Sequence, residues 1–305
     1  MRIRLWLIPA VAIGAAGVLA AWLITAPRPA ASSIPAAAFE KTGDPARGRL
    51  IFAAGDCASC HASPGQPDRL RLGGGIALAS PFGTFRPPNI SMDPVDGIGA
   101  WQAKDLANAL LSGVSPDGRH YYPLFPYPSF AHMTVGDVID LMAYLRTLPA
   151  VQGRAPPHEI SPLFRIRRMI GFWKLIFFDR TQIKPDVRRD PEWNRGRYLV
   201  ESIGHCAECH SARNVFGAIE ESTRMAGGLD PTGTGFVPNI TPQHIGNWSK
   251  QDIAEMLKTG ITPLHMRVGS SMSEVVTDTA MLPDSDRQAI ATYLKSLPSR
   301  PTPEP

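Results

Sequence analysis

The chain has 305 residues, of which 44% are hydrophobic and 19% are charged, and its formal net charge at pH 7 is +4. This length predicts two domains, and the 30 prolines and 27 glycines predict that they are rich in loops. The charge is small, and no basic run with interleaved aromatic residues occurs, so nucleic-acid binding is excluded as a predicted function.

The N-terminus carries an uncharged apolar stretch at residues 5–25, preceded by two arginines and bounded by tryptophans near both ends. Such a stretch is long enough to span a membrane as a helix, and the arginines favour a cytoplasmic N-terminus. A cleaved signal peptide is the alternative, although the stretch is long for one. We therefore predict a single-pass anchor in a bacterial inner membrane, with the rest of the chain facing the periplasm.

All four cysteines lie in two Cys-x-x-Cys-His units. The residues of these units are Cys57, Cys60 and His61 in the first and Cys206, Cys209 and His210 in the second. A c-type haem needs two thiols at this spacing for its vinyl groups and an adjacent histidine for its iron. A thioredoxin-like dithiol has no use for the histidine, and a four-cysteine zinc site would need the two distant pairs to converge. The units predict two covalently bound haem c groups, with His61 and His210 as iron ligands.

The two units lie within an internal duplication. PPNIS at 87–91 matches VPNIT at 237–241, residues 98–114 match 245–261, and AYLRTLP at 143–149 matches TYLKSLP at 292–298. The last pair continues an apolar stripe of helical period, and Thr134 and Asp137 resemble a capping box at the start of the first of these helices. Strand-like alternation is scarce. We expect an all-α fold, with an N-terminal transmembrane helix followed by two tandem class I cytochrome c-like domains.

The duplication sets the predicted domain boundaries. They are a transmembrane anchor at 1–26, a linker at 27–39, a first cytochrome c domain at 40–150, a connector at 151–189, a second cytochrome c domain at 190–300 and a tail at 301–305.

A second axial ligand is expected downstream of each histidine, on a loop before the last helix. In the first domain Met133 immediately precedes the terminal helix, and the adjacent His132 is the main rival. In the second domain the spacing from His210 favours Met281, whereas Met272 follows small residues that let a loop approach a porphyrin. Spacing alone leaves these two methionines open.

The chain resembles the multihaem cytochrome c subunits of periplasmic alcohol, aldehyde and gluconate dehydrogenases, and more closely their two-haem, membrane-anchored relatives. The resemblance spans roughly residues 40–300 and rests on the segments LGGGIALASPFGTFRPPNIS, GVSPDGRHYYPLFPYPSF, HCAECHSARN, VPNIT, IGNWS and GSSMSEVV. It implies Met133 and Met272 as the second ligands. The alcohol dehydrogenase subunits carry three haem domains and this chain has two, which places a quinone-reducing role of the full subunit in doubt.

The connector contains SPLFRIRRMIGFWKLIFFDR at residues 161–180, which is apolar and basic together. One interpretation is a helix that lies on a membrane surface or a partner. The other is a helix packed between the two haem domains, and the large number of apolar residues favours it.

Two haems with filled ligand positions indicate electron transfer and not catalysis. The resemblance implies that a periplasmic dehydrogenase with a flavin, molybdenum or quinone cofactor delivers electrons, which pass to the quinone pool or a terminal oxidase in the membrane. The alternatives are a two-haem peroxidase, which would need an iron able to bind peroxide, and a freestanding carrier between a quinol-oxidising complex and an oxidase.

Overall fold

The computed structural model describes residues 3–230 and 235–304, and its regular secondary structure is mainly helical. The α-helices of this part of the chain are α1 (Ile3–Ile24), α2 (Pro45–Ala54), α3 (Cys57–His61), α4 (Ala103–Ser112), α5 (Tyr127–Phe130), α6 (Val135–Leu145), α7 (Met169–Phe177), α8 (Pro191–Tyr198), α9 (Pro242–Ile245), α10 (Lys250–Thr259), α11 (Ser271–Thr279) and α12 (Asp284–Lys295). The 3-10 turns are Ala30–Ser33, Ala36–Glu40, Pro162–Arg165, Cys206–Glu208 and Glu221–Thr223, and a π-helical turn spans Leu199–Ile203.

Four short strands form two antiparallel pairs in the described residues. In the first, β1 (Gly83–Thr84) pairs with β2 (Glu159–Ile160); in the second, β3 (Gly228–Leu229) pairs with β4 (Phe236–Val237). The expected all-α class is therefore corrected to a mainly helical fold with small sheets. Strands of two residues are too short to give an alternating pattern, so the sequence carried no signal for them.

The predicted membrane anchor is also corrected. In the part of the chain that the structure describes, no helix has both the length and the apolar character that crossing a membrane requires. The single-pass anchor, and the location in the inner membrane with the haem domains facing the periplasm that was inferred from it, are overturned.

The end of α1 is instead bound to the body of the protein. Thr25 is 1% exposed, and its carbonyl oxygen lies 2.9 Å from Nε2 of His120. Arg168 donates to Oγ1 of Thr25 at 3.1 Å, and its guanidinium lies over the ring of Trp22 at 3.9 Å from the ring centre. The residues after α1 are thereby held against the first half of the chain.

In each half the helix before the Cys-x-x-Cys-His unit crosses the terminal helix at a glycine. A Cβ atom on Gly48 of α2 would lie 1.9 Å from the carbonyl oxygen of Asp140 on α6. A Cβ atom on Gly196 of α8 would lie 1.9 Å from the carbonyl oxygen of Ala289 on α12. Both distances are far inside van der Waals contact, so only glycine allows the two backbones to approach this closely.

The terminal helices follow their predicted pattern. Thr134 is the N-cap of α6, and its hydroxyl accepts a hydrogen bond from the backbone N–H of Asp137 at 3.1 Å, which is one half of the predicted capping box. The other half is not formed, because the backbone N–H of Thr134 donates to the hydroxyl of Tyr198 at 2.9 Å. The predicted stripes face the core, as Leu141 and Leu145 on α6 and Ile290 and Leu294 on α12 are all buried. One contiguous hydrophobic cluster contains residues of both halves, so the halves pack on one another.

The connector helix α7 packs on both halves, in agreement with the favoured interpretation. Lys174 donates to the carbonyl oxygens of Ser112 and Gly113, at 2.7 and 2.8 Å, at the C-terminal end of α4. Trp173 reaches the second half, where Nε1 donates to the carbonyl oxygen of Phe216 at 3.0 Å. The opposite side of α7 is exposed.

Candidate functional site

Each Cys-x-x-Cys-His unit begins after a residue in the left-handed conformation. Asp56 has φ 49° and precedes Cys57, and His205 has φ 38° and precedes Cys206. Left-handed backbone interrupts a right-handed helix, and the chain turns at these points. The preceding helix therefore stops, and a new short helix or 3-10 turn begins with the first cysteine. The backbone therefore has the same conformation directly before the attachment unit in both halves.

Both candidate iron-binding histidines are oriented by the same hydrogen bond. Nδ1 of His61 lies 2.8 Å from the carbonyl oxygen of Pro88, and Nδ1 of His210 lies 2.7 Å from that of Pro238. A carbonyl oxygen can only accept, so Nδ1 must carry the proton. Nε2 of each ring then keeps its lone pair, as a metal-ligating imidazole requires.

The local environment keeps both imidazoles neutral. Burial lowers the pKa of His61 and of His210, and in each case the hydrogen bond to the proline carbonyl opposes this shift in part. A neutral imidazole is the form that binds iron. The donor set, its tautomer and its charge state therefore fit the proximal side of a haem.

The cysteines fit covalent attachment and not redox exchange. The four cysteines form no disulfide, and burial raises the pKa of the Cys60 and Cys206 thiols to about 12. Reactive dithiols have a lowered pKa, because the thiolate is the nucleophile. Among the described residues, no group of three or more His, Cys, Asp or Glu side chains could hold a metal ion, so the zinc alternative finds no site there.

The candidate second ligand of the first half is deeply buried. Met133 is 1% exposed and lies in the turn between α5 and α6. Its rival, His132, contacts the connector instead, with Nδ1 2.6 Å from the carbonyl oxygen of Thr181. These contacts favour Met133, and its role as an iron ligand stays a prediction.

The two candidate methionines of the second half lie in different surroundings. Met281 is 41% exposed, in the turn between α11 and α12. Met272 lies in the first turn of α11 and packs against the hydrophobic core. The glycine crossings align the two terminal helices, because Gly48 meets Asp140 and Gly196 meets Ala289. In this alignment Met133 corresponds to the buried Leu282 and not to Met281. The spacing argument for Met281 therefore loses its basis, while Met272 stays a prediction.

The two attachment units meet at the boundary between the halves. Nε2 of His205 lies 3.2 Å from the carbonyl oxygen of Gly55, and the ring of Phe130 packs edge-on against His205 at a centroid distance of 5.4 Å. Ser129 donates to Glu208 at 3.0 Å, next to Cys209. The sites that would hold the two cofactors are thus side by side, which the sequence did not reveal.

Two buried asparagines at equivalent positions of the internal repeat hold backbone segments together. Asn89 is buried and donates to the carbonyl oxygens of Val151 and Gly153, at 2.6 and 2.9 Å. Asn239 is buried and donates to the carbonyl oxygen of Arg300 at 2.8 Å. Each asparagine binds the chain that follows the terminal helix to the loop that carries the proline partner of the iron-binding histidine.

Comparison with known proteins agrees with this arrangement. Residues 45–149 match the Cytochrome c family. The chain is 49% identical over 262 residues to a diheme cytochrome c-type protein of Cereibacter sphaeroides, covering 85% of this chain and 87% of the relative.

Two dehydrogenase subunits are more distant relatives. The fructose dehydrogenase cytochrome subunit of Gluconobacter japonicus is 38% identical, with 83% of this chain and 52% of the relative aligned. The cytochrome c subunit of the quinone-dependent alcohol dehydrogenase of Gluconobacter oxydans is 35% identical, with 84% and 55% aligned. This chain spans about half the length of these two relatives.

Both attachment units lie within the part of the chain that is 49% identical to a diheme cytochrome, and the donor groups of each unit fit a haem. The chain therefore belongs to the family of diheme c-type cytochromes, carries two covalently bound haem c groups and is an electron-transfer component.

Proposed function

We propose that the chain accepts electrons from a dehydrogenase and passes them to the respiratory chain, either to the quinone pool or to a terminal oxidase. Relatives that are 33–38% identical to this chain are cytochrome subunits of fructose, alcohol and gluconate dehydrogenases. A fourth relative, from Pseudomonas putida, is 40% identical and belongs to a nicotinate dehydrogenase. The partner would carry a flavin, molybdenum or quinone cofactor, which takes the electrons from the substrate.

The proposal assigns one haem to each half, in domains at 40–150 and 190–300 that are joined by the connector at 151–189. Each haem is attached through the two cysteines of its unit. The iron ligands are His61 with Met133 in the first domain and His210 with Met272 in the second. When bound, haem c supplies an iron that gains and loses one electron.

The observation that carries this proposal is the matched hydrogen bonding of the two histidines. His61 and His210 each use Nδ1 on a proline carbonyl, at 2.8 and 2.7 Å. A fixed ring needs no reorientation when the charge of its partner changes, which suits electron transfer. Filled second ligand positions would leave no open site for a substrate.

The ligand assignment is tested by single substitutions in the purified haem-loaded protein. We expect Met133→Ala and Met272→Ala each to remove the methionine–iron charge-transfer band of one haem, because the sulfur that forms the bond is lost. Met281→Ala is the matched control for the second half and should leave both bands. Loss of a band in Met281→Ala, with none lost in Met272→Ala, would reverse the assignment.

The electron-acceptor role is tested with the substrate and the partner separated. The purified chain alone, mixed with alcohols, aldehydes and sugars, should show no haem reduction. A strain that lacks this chain should lose dehydrogenase-linked respiration, while its dehydrogenase still reduces an artificial dye. Haem reduction by substrate without any dehydrogenase would contradict the proposal.

A freestanding carrier is the second candidate. The relative that aligns over most of both chains is described as a diheme cytochrome c-type protein and not as part of a dehydrogenase. Purification of the chain under mild conditions separates the two candidates. A co-purifying dehydrogenase supports the role as a dehydrogenase component, whereas a monomer that is reduced by a quinol-oxidising complex supports the carrier.

A further inference from the structure

One arginine of the first half binds a helix of the second half. Arg69 donates through Nη1 to Oδ1 of Asp278 at 2.7 Å, and its Nη2 lies 3.0 Å from Oε2 of Glu274. Both acidic residues belong to α11, and Asp278 is 1% exposed. The guanidinium therefore joins two parts of the chain that are more than two hundred residues apart, and one of its two partners, Asp278, is buried while Glu274 is exposed.

Helix α11 is held within the second half at its C-terminal end, where Thr279 Oγ1 donates to the carbonyl oxygen of Leu257 at 2.6 Å and Arg287 donates to the carbonyl oxygen of Thr279 at 3.0 Å. It has nine residues, and its N-cap, Ser270, makes no side-chain cap hydrogen bond and has φ 53°. Short helices without caps have little stability of their own and depend on packing. The loop before α11 is mostly exposed, and it contains a second strained residue, His265, with φ 57°. The bond of Arg69 to Glu274 restrains the first turn of this helix from the first half of the chain.

The acidic surroundings make this arginine hard to replace. Asp278 also lies near Asp56 of the first half, and burial and then this neighbouring carboxyl group raise the pKa of Asp56. Arg69 thus lies among three carboxyl groups, those of Asp56, Glu274 and Asp278. Without the guanidinium, the buried Asp278 would keep a carboxyl neighbour and lose its cation. An uncompensated buried charge is strongly unfavourable, so α11 would have to shift towards solvent.

Helix α11 also carries Met272, in its first turn. We propose that Arg69 is a positioning residue for the second haem, which acts from the first half by fixing the helix that bears the methionine ligand. The inference rests on the proposed assignment of Met272 and extends it, since the ligand of one haem is then placed by the domain that holds the other. Arg69 also contacts the first attachment unit, where its Nη2 lies 3.4 Å from Oγ of Ser59.

The test uses the full-length protein with both haems bound and reduced. The methyl group of each axial methionine gives its own upfield-shifted proton NMR signal, and Met272→Ala identifies the signal of the second haem. Arg69→Ala should remove or displace that signal and shift the midpoint potential of the second haem, and it should move the signal of the first haem less, because Arg69 reaches the first unit only through the longer bond to Ser59. Arg69→Lys keeps the charge without the two-pronged geometry, and should restore the signal in part.

Arg195→Ala is the matched control. Arg195 also pairs with a largely buried aspartate, Asp286, at 2.7 Å, but both partners lie within the second half and away from α11. This variant should lower the unfolding temperature and leave both methyl signals in place. If Arg69→Ala does not accumulate, Arg69→Gln keeps most of the side-chain volume and serves the same measurement.

The outcomes separate the inference from the assignment on which it rests. A wild-type signal and potential in Arg69→Ala, beside a lost signal in Met272→Ala, would overturn the positioning role alone. No signal lost in Met272→Ala would overturn the ligand assignment and the positioning role together. A signal displaced equally by Arg69→Ala and Arg195→Ala would also overturn the role, because it would show a general loss of stability.

Discussion

The two halves differ most on the outer face of the helix that follows the Pro-Asn-Ile segment. In the first half this helix, α4, is covered by other parts of the chain: Ala30 and Ala31 donate to Ser112 and Asn108 at 3.0 and 2.8 Å, and Lys174 binds its C-terminal carbonyls. In the second half the corresponding helix, α10, has no such cover among the described residues, and Glu255, Lys258 and Thr259 on it are exposed.

The residues of the two helices record this difference. Leu111 is buried on α4, and the residue at the same place on α10 is the exposed Lys258. The crossing glycines, the histidine–proline hydrogen bonds and the buried asparagines are the same in both halves. Duplication has therefore preserved the groups that surround the two cofactor sites, and the surfaces have diverged where additional segments pack.

The residue in the left-handed conformation before each Cys-x-x-Cys-His unit also differs, as it is Asp56 in the first half and His205 in the second. Among the proposed substitutions, that of Asp56 gives the largest expected change in stability. Burial, and then the hydrogen bond with Asp278, raise the pKa of Asp56 to about 8, from about 4 for a free aspartate. Between these pH values the folded state holds a proton on the Asp56–Asp278 pair that the unfolded state has lost. The free energy of unfolding should therefore fall as pH rises from about 4 to about 8, by up to about 1.4 kcal/mol per pH unit.

Asp56→Asn should abolish this dependence, because asparagine tolerates the left-handed backbone and does not titrate. Denaturant unfolding of the haem-loaded protein at several pH values measures the slope. The control is Asp96→Asn: the bonds of Asp96 to Gly153 and Arg154 lower its pKa, so its titration lies below this range. An unchanged slope in Asp56→Asn would show that the two halves do not differ in protonation at this position.

Substitution of the two crossing glycines tests whether the helix crossings of the two halves are structurally equivalent. Gly48→Ala and Gly196→Ala should each lower the free energy of unfolding by about 3 kcal/mol, because the new methyl group overlaps a carbonyl oxygen of the partner helix. Denaturant titration followed by circular dichroism measures the loss. Gly136→Ala is the control on α6, where the nearest atom to an added Cβ is 3.7 Å away. A loss in only one half would end the structural equivalence of the crossings.

The cover of the first half is tested at Lys174. Lys174→Met should cost about 2 kcal/mol, because it removes two hydrogen bonds to carbonyls at the end of α4 and leaves them buried under the connector. Lys258→Met is the matched control on the uncovered helix and should change stability by less than about 0.5 kcal/mol. Thermal unfolding of both variants gives the comparison. Equal losses would mean that the connector does not distinguish the two surfaces.

The features that could be predicted from the sequence are those formed by residues close together in the chain. The cap at Thr134, the apolar stripes of α6 and α12 and the paired Cys-x-x-Cys-His units all depend on residues close in the chain, and periodicity and spacing record such relations directly. The membrane anchor was predicted from the length of an apolar stretch, and that prediction was wrong: the described residues contain no helix that could cross a membrane.

The remaining features depend on partners that no spacing rule connects. Arg69 and Asp278 meet only because the two halves pack together. Asn89 and Asn239 bind backbone carbonyls, and a carbonyl group has no residue type by which a sequence could reveal it. The repeat placed both asparagines at equivalent positions and so indicated a shared role. It did not indicate that this role is hydrogen bonding to the backbone.

The left-handed positions before the two units both contact the other half, Asp56 through Asp278 and His205 through the carbonyl of Gly55. A symmetric dimer of single-haem subunits would carry the same residue at both places, and any substitution there would occur twice across the symmetry axis. Fusion of the two copies into one chain removes this restriction. Residues on the two sides of the boundary can then be substituted independently. Two haem sites that began as identical copies can therefore evolve different properties.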